Sequence, residues 1–180
     1  MAFLVLVTLL AALPFILKTP ETLRRTIYPL EYEQTIRKVS AEHDLEATFV
    51  AAVVYTESRF RPDARSHRGA YGLMQLLPET AGFIQKRSGI EGDWRDPRTN
   101  LRMGVWYLSY LDNHYPDDER LMLAAYNSGE SRVDTWISDR GFDAEEDIPF
   151  QETREYVERV LDAQKTYKDL YSKDLSPNSG

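Results

Sequence analysis

The chain has 180 residues, enough for one domain with a sizeable core and short for two. Hydrophobic residues at 42% and charged residues at 28% describe a folded globular chain rather than a disordered one. A net charge of -7 and a pI near 5.0 argue against the basic face of a nucleic-acid binder, so any anionic substrate must be met by local basic residues. With no cysteine, disulfides, thiolate metal sites and cysteine nucleophiles are removed together. His43, His67 and His114 are scattered, without the paired spacing of a zinc enzyme, and no nucleotide-binding glycine motif occurs. Neither a metal nor a cofactor is expected.

The first predicted element is the uncharged run "MAFLVLVTLLAALPFIL", residues 1–17, closed by Lys18. About 17 apolar residues is the lower limit of a membrane span. The segment is therefore expected to be an N-terminal anchor or an export signal. The anchor is preferred, because no A-x-A-like cleavage site is evident and Pro14 sits inside the run. The charges oppose simple export: Lys18, Arg24 and Arg25 follow the run and no Lys or Arg precedes it. A basic segment upstream of Met1 would reconcile the two, and a buried core helix is the plainer alternative. Residues 18–27 read as a polar tether, 28–172 as the folded domain and 173–180 as a flexible tail.

Within the domain the pattern is helix after helix. "LEYEQTIRKVSAEH" spaces Leu30, Tyr32, Ile36 and Val39 at roughly helical intervals, and "EATFVAAVVYTES" places Phe49, Val50, Val53 and Val54 on one face. "PETAGFIQKRSG" begins with a proline suited to a first helical turn and stops at Gly89. Leu101, Val105, Leu108 and Leu111 mark the next helix, which Pro116 closes. "DDERLMLAAYNSG" opens with acids and ends at a glycine, and "QETREYVERVLDAQKTYKDLY" carries Tyr156, Val160, Ala163 and Tyr167 along one side. Strand signals are confined to Phe60–Leu77, so a mainly α domain is expected.

One carboxylate stands out. Val50, Val53, Val54 and Glu57 are related by i, i+3, i+4 and i+7, so Glu57 continues the apolar stripe. A buried carboxyl without a cationic partner holds its proton more tightly, as a general acid near neutral pH requires. The alternative is that Glu57 frays out and pairs with Arg59 or Arg61. "GAYGLMQL", residues 69–76, is a glycine-punctuated turn bearing Met74 and Gln75, a donor and acceptor in one side chain. "AAYNSG" puts Tyr126 and Asn127 in a last helical turn. Each stretch alone reads equally as structure.

In order, "ESRF", "GLMQL", "AAYNSG" and "PFQETREYV" resemble the soluble-type lytic transglycosylase domain of the goose-type lysozyme-like superfamily, over about Tyr28 to Tyr171. Thr56 and Tyr71 depart from the usual phrasing and leave the motif set intact. The resemblance implies a lysozyme-like helical body with a small β-like flap and a glycan-binding groove. It implies cleavage of the β-1,4 bond between N-acetylmuramic acid and N-acetylglucosamine in peptidoglycan, with a 1,6-anhydro ring closed on the muramic residue. By the same resemblance Glu57 is the single acid/base. Ser66, Met74, Gln75, Tyr126, Asn127 and Tyr156 contact substrate or orient the carboxyl, and Asp63 is the alternative second carboxylate. Trp94, Trp106 and Trp136 read as core. The expected partners are peptidoglycan strands outside the cytoplasmic membrane and, through residues 1–17, the membrane itself; no nucleic acid is expected. The rival readings are a hydrolytic muramidase and a non-catalytic glycan-binding scaffold.

Overall fold

The computed structural model describes residues 20–138 and 141–176, so the predicted anchor at residues 1–17 lies outside the described residues. Eight helices follow one another among the described residues: α1 (Pro20–Ile27), α2 (Glu33–Glu42), α3 (Ala47–Ser58), α4 (Pro78–Ser88), α5 (Pro97–His114), α6 (Glu119–Ser128), α7 (Glu130–Ile137) and α8 (Gln151–Tyr171). Their ends follow local chemistry. Pro78 and Pro97 occupy first turns, where a missing N–H is harmless. The Asp96 carboxylate accepts from the backbone N–H groups of Arg98 and Thr99, and Asp118 accepts from Leu121. Gly89 stops α4 in the left-handed conformation.

The centre of the molecule is α3. Residues 48–54 are all buried, so the helix is apolar on nearly every side rather than along one stripe. It packs most extensively against α8, whose buried side runs from Thr153 through Tyr156, Val160 and Tyr167 to Tyr171. At one end of this pair the rings of Tyr28, Tyr55, Phe60, Tyr167 and Tyr171 touch in series. The Tyr167 and Tyr171 hydroxyls donate to the carbonyls of Pro29 and Tyr28, at 2.6 and 2.7 Å, which ties the chain entering the domain to its last helix.

Two boundaries differ from the sequence expectation. Much of the expected tether is helix α1, held on α8 by the Arg24–Asp169 ion pair and by Arg25 donating to the Leu170 carbonyl, and on the turn after α8 by the Arg25–Asp174 ion pair. Residues 173–180 were expected to be a flexible tail, yet Leu175 is buried against the domain. Polar composition suggested solvation in both places; a few specific contacts override it. Among the described residues no helix is long and apolar enough to cross a membrane.

Where a β-like flap was expected, the described residues form two isolated antiparallel bridges and no strand, Arg65 with Tyr71 and Tyr71 with Leu76. This loop is seated on α5 through two glycines and an asparagine. Asn100, fully buried, accepts from Met74 N–H at 2.8 Å and donates to the carbonyls of Tyr71 and Trp94 at 3.1 and 3.0 Å. Gly72, at φ +85, lies where a Cβ would fall 2.7 Å from the Asn100 amide. Gly104 on α5 meets Met74 so closely that a Cβ would stand 2.5 Å from its Cγ and 2.6 Å from its Cβ. Gly104→Ala should therefore lower stability by about 1–3 kcal/mol through overpacking, read from urea unfolding. An unchanged midpoint would mean that the loop yields more easily than this contact implies.

Candidate active site

Glu57 lies in the last turn of α3, which ends because Arg59 and then Phe60 adopt positive φ, at 51° and 60°. The carboxyl opens onto a cleft of about 350 Å³ whose walls include Ser66, Gln75, Tyr126 and Asn127. The residue is half-buried, and its carboxyl lines the cleft wall. Burial pushes its pKa up to about 7, against a smaller lowering from the Tyr156 hydroxyl and the charge of Arg159. Its position at the negative end of the α3 dipole acts in the same sense as burial. Neither arginine of the alternative reading pairs with it. Arg59 donates to the Tyr55 hydroxyl at 2.8 Å and Arg61 to the Ser58 carbonyl at 3.1 Å.

The motif residues divide by what their polar atoms already do. Gln75, at φ 45, donates to the carbonyls of Ala64 and Gly72 at 3.1 and 2.9 Å. Both amide protons are thus committed, and the side chain can offer a ligand only its carbonyl oxygen. This strained residue beside the cleft is held by those two bonds. Asn127 accepts from the Thr153 hydroxyl at 3.0 Å, which leaves its N–H pair as what it can donate. The Tyr126 hydroxyl donates to the Met74 carbonyl at 2.8 Å, so this residue presents its ring rather than a free hydroxyl. Tyr156 is buried on α8, its hydroxyl beside Glu57 but short of a well-formed hydrogen bond.

Two expectations change. Ser66 lines the cleft, but it forms no hydrogen bond with Glu57; its oxygen accepts from the backbone N–H groups of Arg68 and Ala70, at 3.2 and 3.0 Å. It is a turn residue with one hydroxyl proton to spare. The Met74 side chain is fully buried against Gly104 and does not face the cleft. Its contribution is the carbonyl that fixes Tyr126, because a tight turn on α5 leaves the thioether nowhere else to go.

Sequence reasoning also missed several cleft residues. His67 and Arg68 directly follow Ser66, and Glu152 lies inside "PFQETREYV", so their neighbours were a signal. Tyr107 and Arg132 come from α5 and α7 and had none. Together His67, Arg68 and Arg132 supply local basic groups on an acidic protein. Larger hollows, of about 570 Å³ beside Glu119 and about 640 Å³ beside Ser40, hold none of the motif residues. Burial raises Glu119 as well, but Gln164 donates to it at 3.2 Å.

Fold and site together define a helical protein with a cleft built around one carboxyl whose pKa is raised to about 7, Glu57. Residues 34–149 match the family described as Transglycosylase SLT domain, and the chain belongs to that family. It is 35% identical over 144 residues to the soluble lytic murein transglycosylase of Escherichia coli K12, covering 74% of this chain and 22% of that protein. It is 36% identical over 135 residues to the membrane-bound lytic murein transglycosylase C of Haemophilus influenzae PittEE, covering 68% and 36%. The chain thus spans about a fifth to a third of these relatives. Among solved structures, the soluble lytic transglycosylase of E. coli superposes with a TM-score of 0.78 at 30% identity, over 86% of this chain and 26% of that one. An inactive glutamate-to-glutamine variant of the Pseudomonas aeruginosa enzyme superposes with 0.74 at 32% identity, over 81% and 25%. The lysozyme-like helical fold follows from these likenesses.

Proposed function

We propose that the protein is a peptidoglycan lytic transglycosylase that cleaves the MurNAc–GlcNAc β-1,4 bond and leaves 1,6-anhydro-MurNAc, with Glu57 as the single acid/base. The observation that carries the reading is Glu57 itself: one carboxyl, raised to about 7 without a salt-bridge partner, at the cleft where the motif residues meet. The relatives' names and the inactive glutamine variant of the Pseudomonas enzyme support it.

One carboxyl suffices for a balanced reaction. Protonated Glu57 gives its proton to the glycosidic oxygen as the C1–O bond breaks. The carbonyl oxygen of the substrate's own 2-acetamido group bonds to C1 and holds the charge as an oxazolinium. Carboxylate Glu57 then takes the proton from the C6 hydroxyl, O6 bonds to C1, and the acetamido oxygen leaves. Glu57 ends protonated, and no water is consumed. The N–H groups of Asn127 and the ring of Tyr126 suit the acetamido group, and the carbonyl oxygen of Gln75 suits a sugar hydroxyl. His67, Arg68 and Arg132 suit the carboxylates of muramic acid and its peptide.

Because the first step needs the protonated acid, turnover should fall about tenfold per pH unit above pH 7, with one ionisation near the Glu57 value. Asp63 is not among the residues lining this cleft, which removes it as the second carboxylate; the other cleft carboxylate, Glu152, is exposed at the start of α8, so the products decide between the single-carboxyl route and a two-carboxyl hydrolysis. The polymer lies outside the cytoplasmic membrane, which makes the protein extracytoplasmic, with residues 1–17 as anchor or export signal. The deciding experiment is mass spectrometry of products after the protein meets purified peptidoglycan. Fragments ending in 1,6-anhydro-muramic acid establish the reading. Reducing-end muramic acid makes the protein a hydrolase, and absence of release favours a glycan-binding scaffold.

A further inference from the structure

Thr153 is buried at the third position of α8 and is not among the residues lining the cleft, so it does not meet substrate. Burying a hydroxyl is unfavourable unless it is hydrogen-bonded. Elsewhere in this protein helical threonines satisfy theirs locally: Thr26, Thr56, Thr135 and Thr166 each donate to the carbonyl four residues earlier. Thr153 stands too near the start of α8 for that, because the residue four back is Pro149, outside the helix. Its hydroxyl crosses to α6 instead and donates to the Asn127 Oδ1 at 3.0 Å.

That bond decides which way the Asn127 amide faces. Asn127 stands half-buried in the cleft wall, with one accepting and one donating end to its side chain. With Oδ1 held by Thr153, the N–H pair is the end left for a ligand. Were the amide reversed, its N–H would meet the hydroxyl oxygen. The Thr153 proton would then have no acceptor among the described residues, and a buried donor left unpaired is costly. Thr153 and Tyr156 lie three residues apart on the buried side of α8. One helix face therefore sets both the Asn127 amide and the hydroxyl beside Glu57.

We propose that Thr153 is a positioning residue of this site: acting through Asn127, it holds an N–H pair, and not a carbonyl, toward the substrate's 2-acetamido group. The identity of that ligand rests on the transglycosylase reading, in which the acetamido group falls to Asn127. The hydroxyl itself touches neither sugar nor Glu57. Its work is to keep a rotatable amide in the orientation that accepts a carbonyl-bearing substituent on the sugar.

The test pairs kinetics with NMR on the full chain. On soluble, uncrosslinked glycan strands, Thr153→Val keeps the shape without the hydroxyl. It should lower kcat about tenfold and change KM less than about threefold, because the acetamido group must be aligned as it bonds to C1. Thr153→Ser restores the hydroxyl and should stay within about threefold of the parent. Asn127→Ala should lose about 10²-fold, and adding Thr153→Val to it should cost less than about twofold more. The Asn127 side-chain N–H pair, assigned by its loss in Asn127→Ala, should be rigid by nitrogen relaxation in the parent and in Thr153→Ser. In Thr153→Val its order parameter should drop. This measurement needs no turnover and so separates the two claims. A parent that cleaves no glycan overturns the reaction and with it the acetamido ligand. An order parameter unchanged by Thr153→Val overturns the positioning role. So does full kcat in Thr153→Val, or a tenfold loss that persists in the Asn127→Ala background.

Discussion

Glu57→Gln is expected to lower glycan cleavage by about 10²–10⁴-fold while making the protein more stable at alkaline pH. The loss follows from removing the proton donor and acceptor together, with the cleft otherwise unchanged. The gain follows from linkage. Glu57 has its folded-state pKa raised from an ordinary 4.5 to about 7, so the folded protein holds this proton more tightly than the unfolded chain. The stability it supplies is complete below about pH 4.5 and is lost as pH climbs through about 7. Glutamine has no proton to lose. The advantage of the variant should therefore grow by about 3 kcal/mol between pH 4.5 and pH 8, or about 6–12 °C in Tm. Paired melts at the two pH values read this directly. A constant difference between variant and parent would show that Glu57 is not held protonated by its surroundings, and retained cleavage would place the acid elsewhere.

Asn100→Ala is expected to destabilise the protein by about 3–5 kcal/mol, among the largest effects of any single polar substitution here. The side chain satisfies one backbone N–H, at Met74, and two backbone carbonyls, at Tyr71 and Trp94, all inside the protein. Alanine leaves the three without their partner and opens space under the loop. Asn100→Asp should be no better, since a carboxylate can still accept from Met74 but cannot donate to either carbonyl, and it buries a charge. The loop also carries the Met74 carbonyl that holds Tyr126 and the Gly72 carbonyl that holds Gln75. Cleavage per folded molecule should therefore fall along with stability. Urea unfolding at constant m-value measures the first effect and product release the second. A change below 1 kcal/mol would mean that water replaces the amide at little cost.

The mainly α character, most helix ends and the singular position of Glu57 were legible in the sequence. These depend on local chemistry: apolar periodicity, prolines in first turns, aspartates and glycines at caps. The order of four short motifs identified the kind of cleft. What side chains do inside it was not legible. Met74 and Gln75 are adjacent in the chain, yet one is packed against Gly104 and the other faces the cleft. Ser66 was expected to bond Glu57 or the substrate; it lines the cleft, but its oxygen accepts from its own turn and not from Glu57. Arg59 and Arg61 follow Glu57 by two and four residues, and both turn away from it because the chain reverses at two consecutive positive φ angles. The sequence by itself determined most of the helices, α1 and α7 excepted, and which carboxyl continues their apolar stripe, because both follow from patterns a few residues long. Only the tertiary structure decided that this carboxyl has no salt-bridge partner among the described residues, which amide protons remain free, and that His114 meets Glu130 and Asp134. Those outcomes depend on which helices pack together, and burial and pairing are properties of that packing rather than of spacing along the chain.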